Sequence, residues 1–509
     1  MNTAGRFLLA LGPGLGAVLV GGAVRSQPSP GPAVALTHAN VLDVEQGRIL
    51  SDHTVLTLGG RIVSVSPSGP ARWPAGTQVV NIAGRFVIPG LWDMHVHQQA
   101  DAWYDSLHRQ PAARREALTY FRALFLGAGV TGVREMGGDL AALRAGEREA
   151  EREGILRPRV VLTGEKLGRR PVVPGAPFPV RSGADVRQST RLLRAAGGSH
   201  LKLAASLSPD LTRAALEDCR TERIQCSGHA PVGMSIADAA ALGLASLEHL
   251  SGFPDETSSL GLERIASWRA QHARPTFLER VLFKLHLLSR PPEVGDTVLA
   301  TYDSAKAVRL YRRMASAGTR VTPTLTLAEM ILPAEPPDPV ARDSSLLIVP
   351  LPQGFFGERS TAARDLAIRT RTRYREVIRG LRAAGVGLLA GTDAPLHAVP
   401  GFSLPGELVL LQEAGLTPLE ALRTATLEPA RYLNATDTLG SVAPGRVADL
   451  VVLRANPLAD VRATREVEMV MTRGRLLRRR ELDLLVRQGR EALARVRVAL
   501  GRTGAIGPR

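Results

Sequence analysis

Two patterns of apolar and polar residues divide the chain. Near both ends, short runs alternate between apolar and polar residues and are separated by glycine and proline turns, as in VALTHANVLDV near the start and LGSVAPGRVADLVVL near the end. Such alternation predicts β-strands. The same alternating pattern occurs before and after a long middle segment. We therefore expect residues 35–87 and 436–477 to form one small β-sandwich from both chain ends.

The middle of the chain, residues 88–435, alternates short β runs with amphipathic helical stretches such as DVRQSTRLLRAAGG. The predicted strands cover residues 91–95, 130–134, 159–163, 200–204, 224–229, 245–249, 320–324 and 387–393. This alternation predicts an α/β fold, a (β/α)8 TIM-like barrel. A doubly wound sheet is the alternative, and it is disfavoured because no GxGxxG follows the first strand.

The first 26 residues differ from the rest. Arg6 precedes an apolar run over residues 7–24, and Ser26 lies where a cleavage site is expected. This pattern is typical of a secretory signal peptide, so we predict a signal peptide at 1–26, a linker at 27–34 and an exported protein, periplasmic or secreted. An uncleaved anchor is the alternative. Since no second long apolar run occurs, we expect no stable membrane insertion.

The net charge of +16 comes almost entirely from arginine, because only four of the 64 basic residues are lysine. Residues 451–509 hold 14 Arg against 6 acidic residues. No nucleic-acid-binding motif accompanies them, so we predict a solvated basic helix or tail at 478–509 and no nucleic-acid partner. The two cysteines exclude a four-cysteine zinc module. Cys219 and Cys226 are expected to be free core thiols, although export permits a disulfide.

Ligand-type side chains lie at or near the ends of five predicted strands. They are His95, His97, Lys202, His229, His249 and Asp393. In a barrel, the carboxyl ends of the strands meet at one mouth, where active sites are built. The convergence of so many ligand types predicts a metal site there, and the alternative is a set of hydrogen-bonded core histidines.

The spacing supports this interpretation. Side chains at i and i+2 of a strand point the same way, so His95 and His97 can reach one metal ion. Lys202 lies between two leucines in an apolar strand, where a charge is costly. A carbamate formed from this lysine and CO2 would be anionic and could bridge two metal ions. The alternative is a buried lysine paired with an acid such as Glu165.

Several motifs, in this order, resemble the amidohydrolase superfamily: GLWDMHVH, HLKLAASL, CSGHAPVG, SLEHLSG and GTDAP. The segments PGFSLPGELVLLQEAGLTPLEALRTATLEPARYL and LGSVAPGRVADLVVLRANPL resemble its imidazolonepropionase-like and Xaa-Pro dipeptidase-like branch. The resemblance covers residues 35–475. It implies a barrel with a β-sandwich and a binuclear site.

The resemblance also implies a role for each ligand. His95, His97 and Asp393 would hold the buried metal, His229 and His249 the exposed one, and carboxylated Lys202 would bridge both. We therefore expect two divalent metal ions, with zinc as the expected metal, and a Lys202 carbamate.

Three departures from the family pattern concern the substrate. Pro405 stands where many relatives have histidine, Glu135 stands where many have aspartate, and the loop GEKLGRRPVVPGAP lacks a Gly-His-rich form. Candidate substrate residues are Arg134, Arg169, Arg170 and His397. The arginines could bind a substrate carboxylate bidentately, and the alternative is ordinary surface charge.

The expected activity is hydrolysis of a C–N bond by a metal-bridging hydroxide, with Asp393 as the catalytic acid and base. Expected substrates are small molecules or dipeptides: Xaa-Pro-like dipeptides, N-acyl amino acids or cyclic amides. Alternatives are an esterase, lactonase or phosphotriesterase on the same site, a deaminase, or a non-catalytic scaffold. A homo-oligomer is left open.

Overall fold

The computed structural model describes residues 32–98, 111–138, 140–164, 166–168, 180–265, 293–331, 344–348, 361–395 and 398–502. The predicted signal peptide and most of the predicted linker lie outside these residues. Among the helices of the described part, none combines the length and the apolarity needed to cross a membrane.

Strands from both chain ends share one eight-stranded sheet in the described part of the chain. The N-terminal strands are β1 (Val34–Asp43), β2 (Arg48–Leu58), β3 (Arg61–Pro67), β4 (Gln78–Asn81) and β5 (Phe86–Pro89). The C-terminal strands are β13 (Leu450–Leu453), β14 (Val467–Thr472) and β15 (Arg475–Arg478). The strand order is β15-β14-β13-β5-β1-β2-β3, with β4 also paired to β1.

The two ends meet at an antiparallel pair. Leu450 of β13 lies opposite Pro89 of β5, and Leu453 lies opposite Phe86. Apolar side chains from both ends pack into a common core, which includes Leu36 of β1 and Leu450. The structure therefore brings strands from both chain ends into one sheet.

Parallel strands make up the middle of the chain. One sheet has the order β6-β7-β8 and the other β9-β10-β11-β12. Their bounds are β6 (Leu91–Val96), β7 (Val130–Glu135), β8 (Arg159–Leu162), β9 (His200–Leu203), β10 (Gln225–Gly228), β11 (Leu244–Glu248) and β12 (Arg320–Thr322). Helices alternate with these strands, so the prediction of an α/β fold is confirmed.

Isolated parallel bridges lie between the edges of these two sheets. Thr163 after β8 pairs with His200 of β9, Val321 of β12 pairs with Leu388, and Val96 of β6 pairs with Ala394. The eighth predicted run, residues 387–393, is not a regular strand, which corrects that prediction. Its hydrogen bonds are divided among several neighbours: Ala390 N–H donates to the carbonyl of Thr424, while its carbonyl accepts from Met94.

Helices cover the parallel strands. They are α1 (Pro111–Gly127), α2 (Leu140–Arg152), α3 (Gly183–Ala195), α4 (Pro209–Glu222), α5 (Ile236–Ala241), α6 (Phe253–Thr257), α7 (Glu293–Ala300), α8 (Ser304–Ala317), α9 (Leu325–Ile331), α10 (Thr361–Ala383), α11 (Leu404–Glu413), α12 (Pro418–Thr424), α13 (Leu427–Tyr432) and α14 (Arg479–Arg502). Local sequence starts several of them: Ser208 caps α4 ahead of Pro209, and Ser182 forms a capping box with Asp185.

The C-terminal helix α14 lies within the predicted basic segment and packs against α1. Its apolar face buries Leu493 and Val496. Gly489 permits a close approach, because a Cβ there would lie only 2.7 Å from Leu124 of α1. Arg495 adds an ion pair across the contact, 2.9 Å from Glu116. Part of the arginine-rich end is therefore an ordered, docked helix.

The cysteine prediction is wrong. Cys219 near the end of α4 and Cys226 in β10 form a disulfide, with Cα atoms 6.0 Å apart. Between them, Arg223 adopts a left-handed conformation with φ of 55°, which ends the helix and turns the chain back into the strand. This reversal brings two cysteines seven positions apart within bonding distance.

Candidate metal centre

His95 and His97 lie at the end of β6, and both contact the same carboxylate. Nε2 of His95 lies 3.2 Å from Oδ1 of Asp393, and Nε2 of His97 lies 3.1 Å from that atom. Both imidazoles are buried. The i and i+2 spacing therefore directs both imidazoles towards the same carboxylate.

Asp393 occupies the irregular segment that bridges β6. Its backbone is left-handed, with φ of 59°, and its N–H donates to the carbonyl of His95. Burial raises the pKa of Asp393, but the opposing effects of His95 and His97 outweigh it, so the pKa lies well below its usual range. The residue is therefore a carboxylate held against two imidazoles.

Lys202 lies in β9 with its side chain fully buried. Its Nζ is 3.4 Å from Nε2 of His95. Burial lowers the pKa of Lys202 to about 7, an effect that the nearby Glu248 and Asp393 carboxylates oppose. A large share of the amine is then neutral near pH 7, and a neutral amine is the form that reacts with CO2.

His229 follows β10 and His249 follows β11. Their rings stack with centroids 5.2 Å apart, and the ring of His249 lies 4.8 Å from that of His95. Burial lowers the pKa of His249 to about 3 and holds that of His229 well below its usual value. Both imidazoles are therefore neutral, which metal binding requires.

The orientation of His249 has a defined origin. Its backbone is left-handed, with φ of 65°, and its N–H donates to the carbonyl of Thr322 in β12. Nδ1 lies 2.6 Å from the hydroxyl of Thr324. Because Nδ1 makes this hydrogen bond, Nε2 is the ring nitrogen that remains available to the cluster of predicted ligands.

The cluster fits a metal ion. Potential ligand atoms of His95, His249 and Asp393 all lie within 4.8 Å of one another. Two atoms bound to one tetrahedral zinc ion lie about 3.4 Å apart, close to the 3.1 and 3.2 Å that separate the imidazoles of His97 and His95 from Asp393. Among the described residues, Nδ1 of His97 has no hydrogen-bond partner. The donor set of imidazoles and carboxylate suits zinc and similar ions.

The structure groups one ligand differently from the resemblance. The resemblance pairs His249 with His229 on an exposed metal, whereas the geometry groups His249 with His95 and Asp393. All the predicted ligands nevertheless lie in one contiguous cluster, because Lys202 contacts His95 and His229 stacks on His249.

Arg134 does not have the predicted position for a substrate residue. Its side chain is 0% exposed, and it donates to Met94, Ser246, Tyr432, Glu248 and Thr322. These contacts use each N–H of the guanidinium, so none remains for a substrate carboxylate. Arg169, Arg170 and His397 lie outside the described residues.

Sequence reasoning missed two buried carboxylates beside the ligands. Glu248 precedes His249 and accepts a hydrogen bond from Nδ1 of His95 at 2.7 Å. Asp93 lies two residues before His95 and accepts from the N–H and hydroxyl of Thr392. The available signal was a further ionisable residue within an apolar strand, the same signal that singled out Lys202.

Two of the positions that depart from the family pattern, Glu135 and Pro405, lie among the described residues. Glu135 at the end of β7 is buried and accepts from the backbone N–H of Gln98 at 2.7 Å. Pro405 is in the first turn of α11. In the same helix, Glu407 accepts from the N–H groups of Leu325 and Thr326 at the start of α9.

An α/β fold with buried imidazoles, a carboxylate and a lysine at the ends of parallel strands defines a candidate metal-dependent hydrolase. Residues 86–477 match the model of the amidohydrolase family. Because this match spans most of the chain, the protein belongs to the amidohydrolase family. The general prediction of a hydrolytic enzyme is thereby confirmed.

Solved structures with this fold agree with the family. A prolidase complexed with N-methylphosphonate-L-proline has a TM-score of 0.60 and 23% identity, covering 88% of this chain and 99% of that one. Bottromycin amidohydrolase has a TM-score of 0.63 and 21% identity, covering 90% of each chain. At these identities the likeness shows the fold.

Among curated proteins, adenine deaminase 2 of Bradyrhizobium sp. (strain ORS 278) is 37% identical over 67 residues. This match covers 13% of the present chain and only 11% of the deaminase. Such a short match says nothing about the substrate of the whole protein.

Proposed function

We propose that this protein is a binuclear metal-dependent amidohydrolase that cleaves a C–N bond. The observation that carries the proposal is the convergence of His95, His97, Lys202, His229, His249 and Asp393 in one buried cluster. A fully buried lysine among imidazoles is costly as an ammonium, whereas a carbamate would be an anionic ligand for two divalent ions.

We infer that the two parallel sheets close into the expected (β/α)8 barrel. The bridges from Thr163 to His200, from Val321 to Leu388 and from Val96 to Ala394 support this closure, because they join every open edge in turn. The ligands would then surround one barrel mouth. The sheet built from both chain ends would be the satellite β-sandwich.

Two bound divalent ions, with zinc expected, would supply a hydroxide nucleophile at neutral pH and polarise the scissile carbonyl. Asp393 is the catalytic residue of this chain. As a carboxylate it accepts the proton of the attacking hydroxide and then donates it to the leaving nitrogen. Hydrolysis of the amide thus yields a carboxylate and an amine, and the carboxylate of Asp393 is regenerated.

Dipeptides of the Xaa-Pro type and N-acyl amino acids are the substrates we propose. The fold match to a prolidase complexed with a phosphonate-proline supports this choice. Ester, lactone or phosphotriester hydrolysis is the alternative, because the same nucleophile attacks those electrophiles. The short deaminase match does not favour deamination, since Lys202 lies inside the cluster and fits a bridging ligand.

Metal analysis and substrate screening together test this function. The zinc-loaded enzyme should contain two metal ions per chain and release amine from a panel of Xaa-Pro dipeptides and N-acyl amino acids. Asp393→Asn is the matched variant, and it should lose most of the turnover. Turnover of lactones or phosphotriesters alone would favour the alternative, and a chain without stoichiometric metal would favour a non-catalytic scaffold.

We also propose that the protein is exported through its N-terminal 26 residues. Residues 7–24 are apolar and follow Arg6. The mature chain should begin within residues 27–33. Sequencing of the exported protein tests this, and an N-terminus at Met1 would contradict it.

A further inference from the structure

Arg134 and Glu248 form a buried ion pair directly behind the metal cluster. Nη2 of Arg134 lies 2.8 Å from Oε1 and 3.0 Å from Oε2 of Glu248, and both side chains are 0% exposed. Arg134 belongs to β7 and Glu248 to β11, so the pair joins the two parallel sheets.

The guanidinium is held rigidly. Nε donates to the carbonyl of Met94 at 2.7 Å, and Nη1 donates to the hydroxyls of Ser246 and Tyr432, each at 2.9 Å. Nη2 also donates to the hydroxyl of Thr322 at 3.1 Å. Hydrogen bonds to β6, β11, β12 and α13 thus fix the direction in which Arg134 faces Glu248.

Glu248 in turn contacts His95, one of the predicted metal ligands. Its Oε2 accepts from Nδ1 of His95 at 2.7 Å, while Oε1 accepts from the hydroxyl of Ser246 at 2.5 Å. Both oxygens also face Nη2 of Arg134, at 2.8 and 3.0 Å, so the carboxyl group lies against a guanidinium. The group facing His95 is therefore a carboxylate, which can only accept.

An acceptor at Nδ1 decides which nitrogen of His95 is free. With its proton on Nδ1, the neutral ring has its lone pair on Nε2. Nε2 is the atom that lies 3.2 Å from Asp393 and 3.4 Å from Lys202. The lone pair thus points into the ligand cluster.

We propose that Glu248, anchored by Arg134, is a positioning residue that holds His95 in the tautomer and orientation required to bind a metal ion. The inference rests on the metal centre of the proposed function. It also gives Arg134 a role: the residue acts through Glu248 on His95 and does not touch substrate.

The test compares zinc affinity with folding stability in the full-length protein. In the double variant Arg134→Met/Glu248→Leu, both charges and the acceptor that faces Nδ1 of His95 are removed together, so no unpaired buried charge remains. Removing a partner of a metal-ligating histidine typically lowers metal affinity 10- to 100-fold. We expect a loss of this size in chelator competition with zinc alone.

A second buried ion pair provides the matched control. Nε of Arg159 lies 2.5 Å from Oδ2 of Asp449, and both side chains are 6% exposed. The variant Arg159→Met/Asp449→Leu should bind zinc as tightly as the wild type. Equal losses of affinity in both double variants would overturn the proposal, because the effect would then reflect stability alone.

Glu248→Asp keeps the test decisive if the double variant fails to fold. This change retains the charge beside Arg134 but draws the carboxylate back from Nδ1 of His95. Zinc affinity should again fall by at least tenfold. Wild-type affinity in either Glu248 variant would overturn the proposal. A wild type that binds no zinc would instead overturn the metal centre itself.

Discussion

Thr392 donates two hydrogen bonds to the buried carboxylate of Asp93. Its N–H lies 3.1 Å from Oδ1 and its hydroxyl 2.6 Å from Oδ2. Oδ1 of Asp93 also accepts from the N–H of His95. The carboxylate of Asp93 therefore connects β6 to the segment that contains Thr392 and Asp393. Asp93 thereby aligns the predicted metal ligands His95 and Asp393, which come from two distant parts of the chain.

Thr392→Val should misalign Asp393 because it removes the hydroxyl hydrogen bond to Asp93. We expect a loss of about 1–3 kcal/mol in the free energy of unfolding and a lower kcat. Thr464→Val is the control, since its buried hydroxyl bonds to the carbonyl of Val461. Urea unfolding and steady-state kinetics should show similar destabilisation but a kcat loss only at Thr392. An equal kcat loss in the control would contradict this.

Lys202→Ala should bind about one metal ion or none and lose most activity, because two cations would then lack the anionic bridge between them. Short carboxylic acids should restore part of the activity by occupying the place of the carbamate. Lys202→Arg should not rescue, since guanidinium stays protonated. Elemental analysis measures the metal content.

The control for this lysine is Lys306→Arg, because Nζ of Lys306 donates to the carbonyl of Ser258 outside the cluster. This variant should keep two metal ions. If Lys202→Arg also keeps two metal ions and near-normal turnover, Lys202 is structural and the binuclear interpretation fails. Stripped wild type should recover fully only with metal and bicarbonate together.

Glu407 should make stability depend on pH. Burial raises its pKa to about 7 from 4.5, although Thr326 and Leu325 donate hydrogen bonds that oppose the shift. Between these values the unfolded chain releases the proton and the folded chain keeps it, so stability falls as pH rises. The loss by pH 8 is roughly 3 kcal/mol.

Glu407→Gln cannot titrate and should lack this part of the pH dependence. Urea unfolding of metal-free wild type and variant at pH 5 and pH 8 measures it. The wild type should lose more stability than the variant over this interval. Parallel profiles of the two proteins would refute the prediction.

Lys166 should bind the carboxylate of an acidic substrate. Burial lowers the pKa values of His97 and Lys202, and the nearby charge of Lys166 adds to both shifts. The N–H of the next residue, Leu167, donates to the carbonyl of Lys202 at 2.9 Å. Lys166→Met should raise KM at least tenfold for dipeptides with a free carboxylate and leave KM for their amides unchanged. Lys306→Met is the control, and a similar rise of KM for the amides would contradict this role.

Local patterns in the sequence predict much of this fold. Alternation identifies β1 to β3, because this signal acts within a few residues. The periodicity also places His95 and His97 on one face of β6. Residues at strand ends could be predicted to converge because parallel strands share one direction.

Only the tertiary structure decides which buried side chains meet. Arg134 and Glu248 lie 114 positions apart, and no local pattern indicates that they pair, so Arg134 is predicted for a substrate although its guanidinium binds Glu248. The irregular pairing of residues 387–393 likewise depends on hydrogen bonds to β6 and Thr424. The sequence determines the kinds of ligand present; long-range packing determines their neighbours, because burial and hydrogen bonding are settled among residues distant along the chain.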